Sequence, residues 1–313
     1  MKNVKYAPIL IMIAASLWAI DGIFRTQLTY TIPTASIIFF EHLLGFLILS
    51  PIFIKNFRWI RAIERDQWKN FILLTIVSSV LGTILFTEAL ARSFAGFDFV
   101  TPILLQKLQP VFVVLMSAFI LKEKVTSRFI WLAICALTGS YLISFGFNPV
   151  SLVLKGKELV YILSIGAAFC WGYGTILSKK ALEKLDFPVA TALRFFLAIP
   201  ISLIFVFGLN HQYDFSQLTS PNLVRFLIIA GITGGAGAIF IYYRGLQYTQ
   251  AKVSTIAELM YPIVSIFIAI SFLNPYGSPQ KIGMANILGI IILLVSIILI
   301  SFEKKFNKSE AKK

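Results

Sequence analysis

Ionisable side chains stand inside long apolar runs of this sequence, and they are its best candidates for chemistry. Glu41, Lys107, Arg194 and Glu258 all lie well within such runs. A charged group at membrane depth costs at least about 2.5–3.5 kcal/mol, so it is retained where it faces a partner, a cavity or a solute pathway. A carboxyl group held away from water can also load and release a proton near neutral pH. These residues therefore predict solute binding or proton coupling inside a membrane.

Depth along the helices predicts how these four charges pair. Glu41 and Arg194 each lie about seven residues from one end of their runs, roughly 10 Å from opposite surfaces, so they do not bond each other. Lys107 lies nearer the depth of Glu41, and Glu258 lies at the depth of Arg194. The sequence therefore predicts the pairs Glu41–Lys107 and Arg194–Glu258. The alternative is that these charges only hold helices together.

Two prolines mark helix interruptions beside polar positions. Pro110 removes the hydrogen bond to the carbonyl of Gln106, and Pro262 removes the bond to the carbonyl of Glu258. Each freed carbonyl stands next to a polar side chain near the middle of the membrane. Interrupted helices at matching positions indicate a binding site. An ordinary packing kink is the alternative.

Two further acid–base pairs are spaced four residues apart. These are Asp21 with Arg25 and Glu88 with Arg92, each close to the end of an apolar run. Residues at this spacing lie on one helix face and can neutralise each other. We predict local ion pairs, with a role in an outer gate as the alternative.

A histidine and several aromatic residues complete the candidates. An imidazole ordinarily titrates near physiological pH, but His42 points about 100° away from its neighbour Glu41 on a helix. A structural role therefore competes with a proton relay. The residues predicted to line an aromatic-walled pocket, with packing against lipid or helices as the alternative, are Trp18, Trp171, Tyr173 and Tyr261.

Ten apolar runs must position these residues. The chain has 313 residues, of which 58% are hydrophobic and 13% charged, about half the charge of a soluble domain. The two cysteines, Cys135 and Cys170, lie in apolar runs and suggest neither a disulfide framework nor a metal site. Each run is long enough to cross a bilayer as a helix. The runs are 7–25, 34–54, 69–91, 97–120, 128–147, 159–179, 187–208, 223–244, 252–273 and 282–302.

The basic residues predict the orientation of these spans. If the N-terminus is cytoplasmic, twenty of the 28 Lys and Arg residues fall on the inside, six fall outside, and Lys107 and Arg194 lie within spans. This asymmetry follows the positive-inside rule, so both termini are predicted to be cytoplasmic and the protein to lie in the inner membrane. The net charge of +14 is thereby explained without nucleic acid.

The two halves of the sequence resemble each other. Trp18 matches Trp171 and Glu41 matches Arg194 at an offset of 153, and residues 104–110 match 256–262 at an offset of 152. Five helices is an odd number, so the second half enters the membrane inverted. We predict an all-α fold of two inverted five-helix repeats, 1–147 and 148–313, the second ending in a short basic cytoplasmic tail.

These features resemble the EamA family of the drug/metabolite transporter superfamily. The resemblance covers nearly the whole chain and departs from the family at residues 274–275, where the second repeat lacks an acidic turn. The matching segments are the small-residue and Trp patterns at 14–18 and 167–171, the stretches 89–110 and 245–262 that lead to prolines, and the acidic turn 121–124.

The resemblance implies a secondary transporter for a metabolite or drug, often an exporter and often driven by an ion gradient. Buried charges of both signs favour an amino-acid-like or other small organic solute, and Glu41 or Glu258 is predicted to carry a coupling proton. No cofactor, metal or nucleic acid is expected, and a homodimer is left open. The alternatives are a channel, a membrane scaffold or, with only two histidines and no HExxH motif, an intramembrane enzyme.

Overall fold

The computed structural model describes residues 6–29, 31–94, 100–149, 156–209, 216, 218, 220–275 and 277–301. Across these ranges the regular structure is helical without strands, and ten helices are long and apolar enough to cross a membrane. In lipid every backbone N–H and C=O group must be bonded within the chain, which long apolar sequences achieve as helices. The predicted all-α fold with ten spans is confirmed. The predicted C-terminal tail lies outside the described residues.

Six spans are continuous helices. They are the first (Ala7–Thr29), second (Thr34–Lys55), fifth (Ser127–Phe145), sixth (Glu158–Lys184), seventh (Phe187–Gly208) and tenth (Met284–Ser301). A short helix, Phe57–Arg61, follows the second span. The first helix continues to Thr29, past the predicted end of the run at residue 25. Arg25 therefore lies about one turn before the end of the helix, and not at its end.

The other four spans are interrupted, and the interruptions fall at matching places in the two halves. The third span comprises Arg65–Leu74, a π-helical segment Thr75–Leu81 and Gly82–Phe94, and the eighth comprises Ser220–Ile228, a π-helical segment Ile229–Thr233 and Ala236–Gln247. The fourth span comprises Val100–Gln106 and Gln109–Ile120, and the ninth comprises Ala251–Ala257 and Met260–Ala269. Such interruptions are frequent at functional sites.

The helix contacts repeat with the halves exchanged. The first span packs against the eighth as the sixth packs against the third, while the second packs against the seventh and the fifth against the tenth. Glycine allows the close approach of the fifth and tenth spans. A Cβ atom on Gly139 would lie 2.8 Å from the carbonyl oxygen of Gly289, and one on Gly289 would lie 2.7 Å from that of Gly139. Small residues that let backbones meet are typical of membrane helix interfaces.

The two ends of the bundle are fixed by contacts between connections. We name one the basic end, defined by the connections 56–64, 121–126, 185–186 and 248–250. At this end Glu64 and Lys184 form an ion pair at 3.0 Å. At the opposite end the Asn286 side chain donates to the carbonyl of Ile143 at 2.7 Å. The interrupted spans place their breaks between these two ends.

Candidate functional site

The fourth and ninth spans both break at the predicted positions. The fourth pauses at Lys107 and Leu108 and resumes at Gln109, and the ninth pauses at Glu258 and Leu259. Pro110 and Pro262 lie in the first turn of the helices that resume after the breaks. Backbone N–H groups in that turn have no partner within the helix, so the missing N–H of proline costs no hydrogen bond there. Each break thus lies directly before one of the two prolines. The expectation of a free carbonyl at Glu258 is wrong, because that carbonyl accepts from the backbone N–H of Tyr261 at 3.0 Å.

The two breaks meet through their polar side chains. Gln109 Nε2 donates to Glu258 Oε2 at 3.1 Å, and Gln106 Nε2 donates to Gln109 Oε1 at 3.1 Å. All three side chains are partly exposed. These hydrogen bonds therefore connect Gln106 and Gln109 of the first half to the Glu258 carboxylate of the second half.

Neutral donors surround the Glu258 carboxylate. Tyr242 Oη donates to Glu258 Oε1 at 2.8 Å, and Ser254 Oγ donates to the same oxygen at 3.1 Å. The Tyr242 ring packs against the Trp18 indole with ring centres 5.2 Å apart. Within the described residues no ion pair includes Glu258. Because a carboxylate at membrane depth requires compensation for its charge, this group is suited to accept a proton or a donor group of a bound solute.

A second cluster joins the first and second spans. Arg25 Nε donates to Asp21 Oδ2 at 2.5 Å, and Arg25 Nη1 donates to Glu41 Oε2 at 2.9 Å. Thr233 Oγ1, in the π-helical segment of the eighth span, donates to Asp21 Oδ1 at 3.1 Å. Gly234 allows this contact, because a Cβ there would lie only 2.3 Å from Asp21 Oδ1. The predicted Asp21–Arg25 pair is present, and it extends to Glu41.

Arg194 occupies the matching place in the other half but bonds hydroxyl groups. Its Nε donates to Ser79 Oγ at 2.7 Å, its Nη2 to Ser78 Oγ at 3.2 Å and its Nη1 to Tyr243 Oη at 2.9 Å. The Tyr243 hydroxyl is also 3.0 Å from Ser178 Oγ. Of these two pseudo-symmetric residues, Glu41 thus forms an ion pair, whereas Arg194 is bound by hydroxyl groups.

The predicted pairs Glu41–Lys107 and Arg194–Glu258 are wrong. Glu41 bonds Arg25, and Lys107 Nζ instead donates to Ser140 Oγ in the fifth span at 2.8 Å. Equal depth in the membrane does not determine the direction in which a side chain points from its helix. The four charged side chains point toward different neighbours, so the predicted partners do not meet.

Trp171, Tyr261 and the pair Glu88–Arg92 are the remaining candidates. Trp171 packs against Phe86 with ring centres 5.2 Å apart, and Tyr261 is 41% exposed. The local pair Glu88–Arg92 is present at 3.8 Å, with both side chains partly exposed.

His42 is held by its own helix and by the seventh span. Its Nδ1 donates to the carbonyl of Ile38 at 2.8 Å, and its ring lies 5.1 Å from that of Phe195. The proton-relay role stays a prediction. No group of three or more His, Cys, Asp or Glu within the described ranges is placed to hold a metal ion.

Sequence reasoning missed the hydroxyl groups that hold the buried charges. Tyr242, Tyr243 and Thr233 come from the eighth span, and Ser78 and Ser79 from the third. A signal was present, because Ser78-Ser79 and Gly234-Gly235 are adjacent small residues of the kind that interrupt helices.

Gly174→Ala is expected to disturb the Arg194 cluster. The added Cβ would lie 2.3 Å from the Cβ and 2.4 Å from the Oγ of Ser78, so the sixth and third spans must separate at a cost of about 1–3 kcal/mol. Thermal unfolding in detergent measures the loss. The control is Gly22→Ala, whose Cβ meets nothing within 4 Å. Equal stability of the two variants would contradict the close contact.

Comparison with known proteins finds a matching family and relatives over most of the chain. A model of the EamA-like transporter family matches residues 5–145 and 158–302. The riboflavin transporter ImpX of Fusobacterium nucleatum subsp. nucleatum is 32% identical over 307 residues, covering 96% of this chain and 99% of that protein. The uncharacterized transporter sll1164 of Synechocystis sp. is 25% identical over 265 residues, covering 80% and 72%.

A solved crystal structure gives the same architecture. It superposes with a TM-score of 0.72 over 95% of this chain and 96% of that chain, at 14% sequence identity. A likeness at this identity shows the fold alone. The two segments matched by the family model accord with the two five-helix halves, and the boundary at 147–148 stays a prediction.

Proposed function

Because this chain belongs to the EamA-like transporter family, we propose that it is a secondary transporter that moves a small organic solute by alternating access. The observation that carries the proposal is the hydrogen bond from Gln109 to Glu258 at 3.1 Å. It joins the broken helices of the two halves at one point. Transporters built from repeats bind their solutes at such breaks, between the parts that move against each other.

Riboflavin is the first candidate solute. The relative at 32% identity is named a riboflavin transporter, and the site offers groups that suit a flat polar ring with a polyol chain. The Trp18 and Tyr242 rings provide aromatic surface beside the carboxylate. The Gln106 and Gln109 amides donate and accept hydrogen bonds, as recognition of imide and hydroxyl groups requires.

Glu258 is the better candidate for a coupling proton. Its carboxylate accepts hydrogen bonds from neutral donors, so a proton would neutralise it in the absence of a cation. Glu41 is already compensated by Arg25 at 2.9 Å. We place the basic end in the cytoplasm, as the positive-inside rule indicates, and propose export as the direction of transport.

Metabolite distribution in a bacterial host tests the proposal. Cells expressing the wild-type protein, Glu258→Gln or an empty vector are compared for solutes inside and outside the cell, together with uptake of labelled riboflavin. We expect the wild-type protein alone to change the distribution of one solute, with riboflavin examined first. Unchanged distribution and uptake, with the protein present in the membrane at matched levels, would contradict a transport function for these solutes.

A further inference from the structure

An acidic residue at the basic end holds the start of the ninth span. Glu123 Oε1 accepts from the backbone N–H of Ala251 at 2.7 Å, and Glu123 Oε2 accepts from that of Lys252 at 3.1 Å. The Lys252 ammonium also donates to the carbonyl of Lys124 and lies 4.8 Å from the centre of the Phe129 ring. A carboxylate bound to free N–H groups at a helix start is among the stronger hydrogen-bonded arrangements.

The turn after the fourth span presents Glu123 in this position. The backbone N–H groups of Leu121 and Glu123 both donate to the carbonyl of Ser117 at 3.1 Å. Lys122 between them has φ of 54°, the left-handed conformation that ends many helices. The closed turn fixes the carboxylate next to the ninth span.

These bonds connect the two halves across an apolar seal. Glu123 belongs to the first half, and the helix Ala251–Ala257 belongs to the second. Beside the bonds, Val113 of the fourth span, Ile176 of the sixth and Ala251 of the ninth form one buried cluster. A solute path from Glu258 to the basic end must therefore part this cluster and the Glu123 hydrogen bonds.

The residue at the pseudo-symmetric counterpart of Glu123 is not an acid. The offset of 152 that relates the broken spans carries Glu123 onto Pro275. Proline has no side-chain acceptor, so it cannot bind backbone N–H groups as Glu123 does. Glu123 therefore restrains the start of a helix at the basic end, and Pro275 at the counterpart position cannot provide the same restraint.

We propose that Glu123 is a gate residue that keeps the basic end closed, so that the solute-free protein rests open toward the opposite end. The proposal rests on the transport function proposed above. The same half-helix carries the Glu123 contacts at its start and is followed by Glu258 at its end. Solute binding at Glu258 thus acts on the element that Glu123 holds, and Glu123 is a positioning residue with no contact to the solute.

Two cysteine reporters related by the 152-residue offset test the resting state. Val113→Cys lies on the basic-end side of Gln109, and Ser265→Cys lies at the counterpart position beyond Glu258. Each is introduced into a background lacking Cys135 and Cys170, and the purified protein is reacted with a hydrophilic maleimide in detergent, where both ends are accessible, without solute. In otherwise wild-type protein we expect the cysteine at 265 to react about tenfold faster than that at 113. Equal rates or the reverse order would overturn the asymmetry.

Glu123→Gln then tests the gate itself. Loss of the charged acceptor is expected to raise labelling at position 113 by about tenfold, the effect of one charge-assisted hydrogen bond. The matched control is Glu64→Gln, which removes an ion pair between the halves at the same end. Both partners there are exposed, so we expect less than about a threefold change.

Each outcome decides one claim. Unchanged labelling in Glu123→Gln, or an equal rise in Glu64→Gln, would overturn the gate proposal. If Glu123→Gln is not produced, the comparison of the two reporters in wild-type protein still tests the resting state. Because labelling needs no solute, its failure leaves the transport proposal standing, and failure of solute flux leaves the labelling result standing.

Discussion

Glu258→Gln is expected to lower gradient-driven solute flux by about 100-fold while leaving some solute exchange. Gln fills the same volume but cannot bind and release a proton, so the coupled step is lost. The amide also replaces the charged acceptor of bonds from Gln109, Tyr242 and Ser254. Hydrogen bonds to charged groups contribute about 1.5–3 kcal/mol each, and about 2.7 kcal/mol corresponds to 100-fold.

Flux with and without an imposed pH gradient measures this effect. The matched control is Glu158→Gln, the same substitution at an exposed residue that starts the sixth span. It is expected to keep wild-type flux within about twofold, because exposed charges contribute little. Full gradient-driven flux in Glu258→Gln would remove this residue as the proton carrier.

Arg25→Gln is expected to produce the largest loss of stability. Arg25 bonds both Asp21 and Glu41, and each of these acids is only 6% exposed. Removing the guanidinium leaves two buried carboxylates without their cation. Breaking a buried ion pair by deleting one partner costs about 3–5 kcal/mol. Thermal unfolding in detergent, together with the yield of folded protein, measures the loss.

A rescue experiment separates charge from shape in this cluster. The triple variant Asp21→Asn, Arg25→Gln, Glu41→Gln removes all three charges and is expected to regain most of the lost stability, since neutral groups bury more readily than unpaired charges. Arg92→Gln is the control, because Arg92 is 52% exposed and lies 3.8 Å from Glu88. Equal loss in Arg25→Gln and Arg92→Gln would contradict a buried cluster.

Much of the fold follows from simple features of the sequence. The length of the apolar runs predicts ten spans, and Pro110 and Pro262 predict where the fourth and ninth are broken. The π-helical segments in the third and eighth spans were not predicted. Their sequences contain no proline, and adjacent Ser or Gly residues interrupt only some helices.

Some residues of the candidate site were singled out from the sequence, but their hydrogen-bond partners were not. Gln106 and Glu258, which the proline pattern singled out, are connected through Gln109, which that pattern did not identify. Depth alone assigned Glu41 to Lys107, because the hydrophobic pattern gives position along a helix but not the neighbour that a side chain faces. Tyr242 was missed because an apolar run tolerates tyrosine without marking it as functional.

Solute counterflow tests the central claim most directly. Liposomes containing the purified protein are loaded with unlabelled riboflavin, or with the solute identified in cells, and diluted into a trace of the labelled solute. A carrier that exposes Glu258 to each side in turn is expected to accumulate label transiently above equilibrium, without any ion gradient. Equilibration without a transient excess would indicate a channel, and no entry of label into liposomes holding folded protein would contradict transport of that solute.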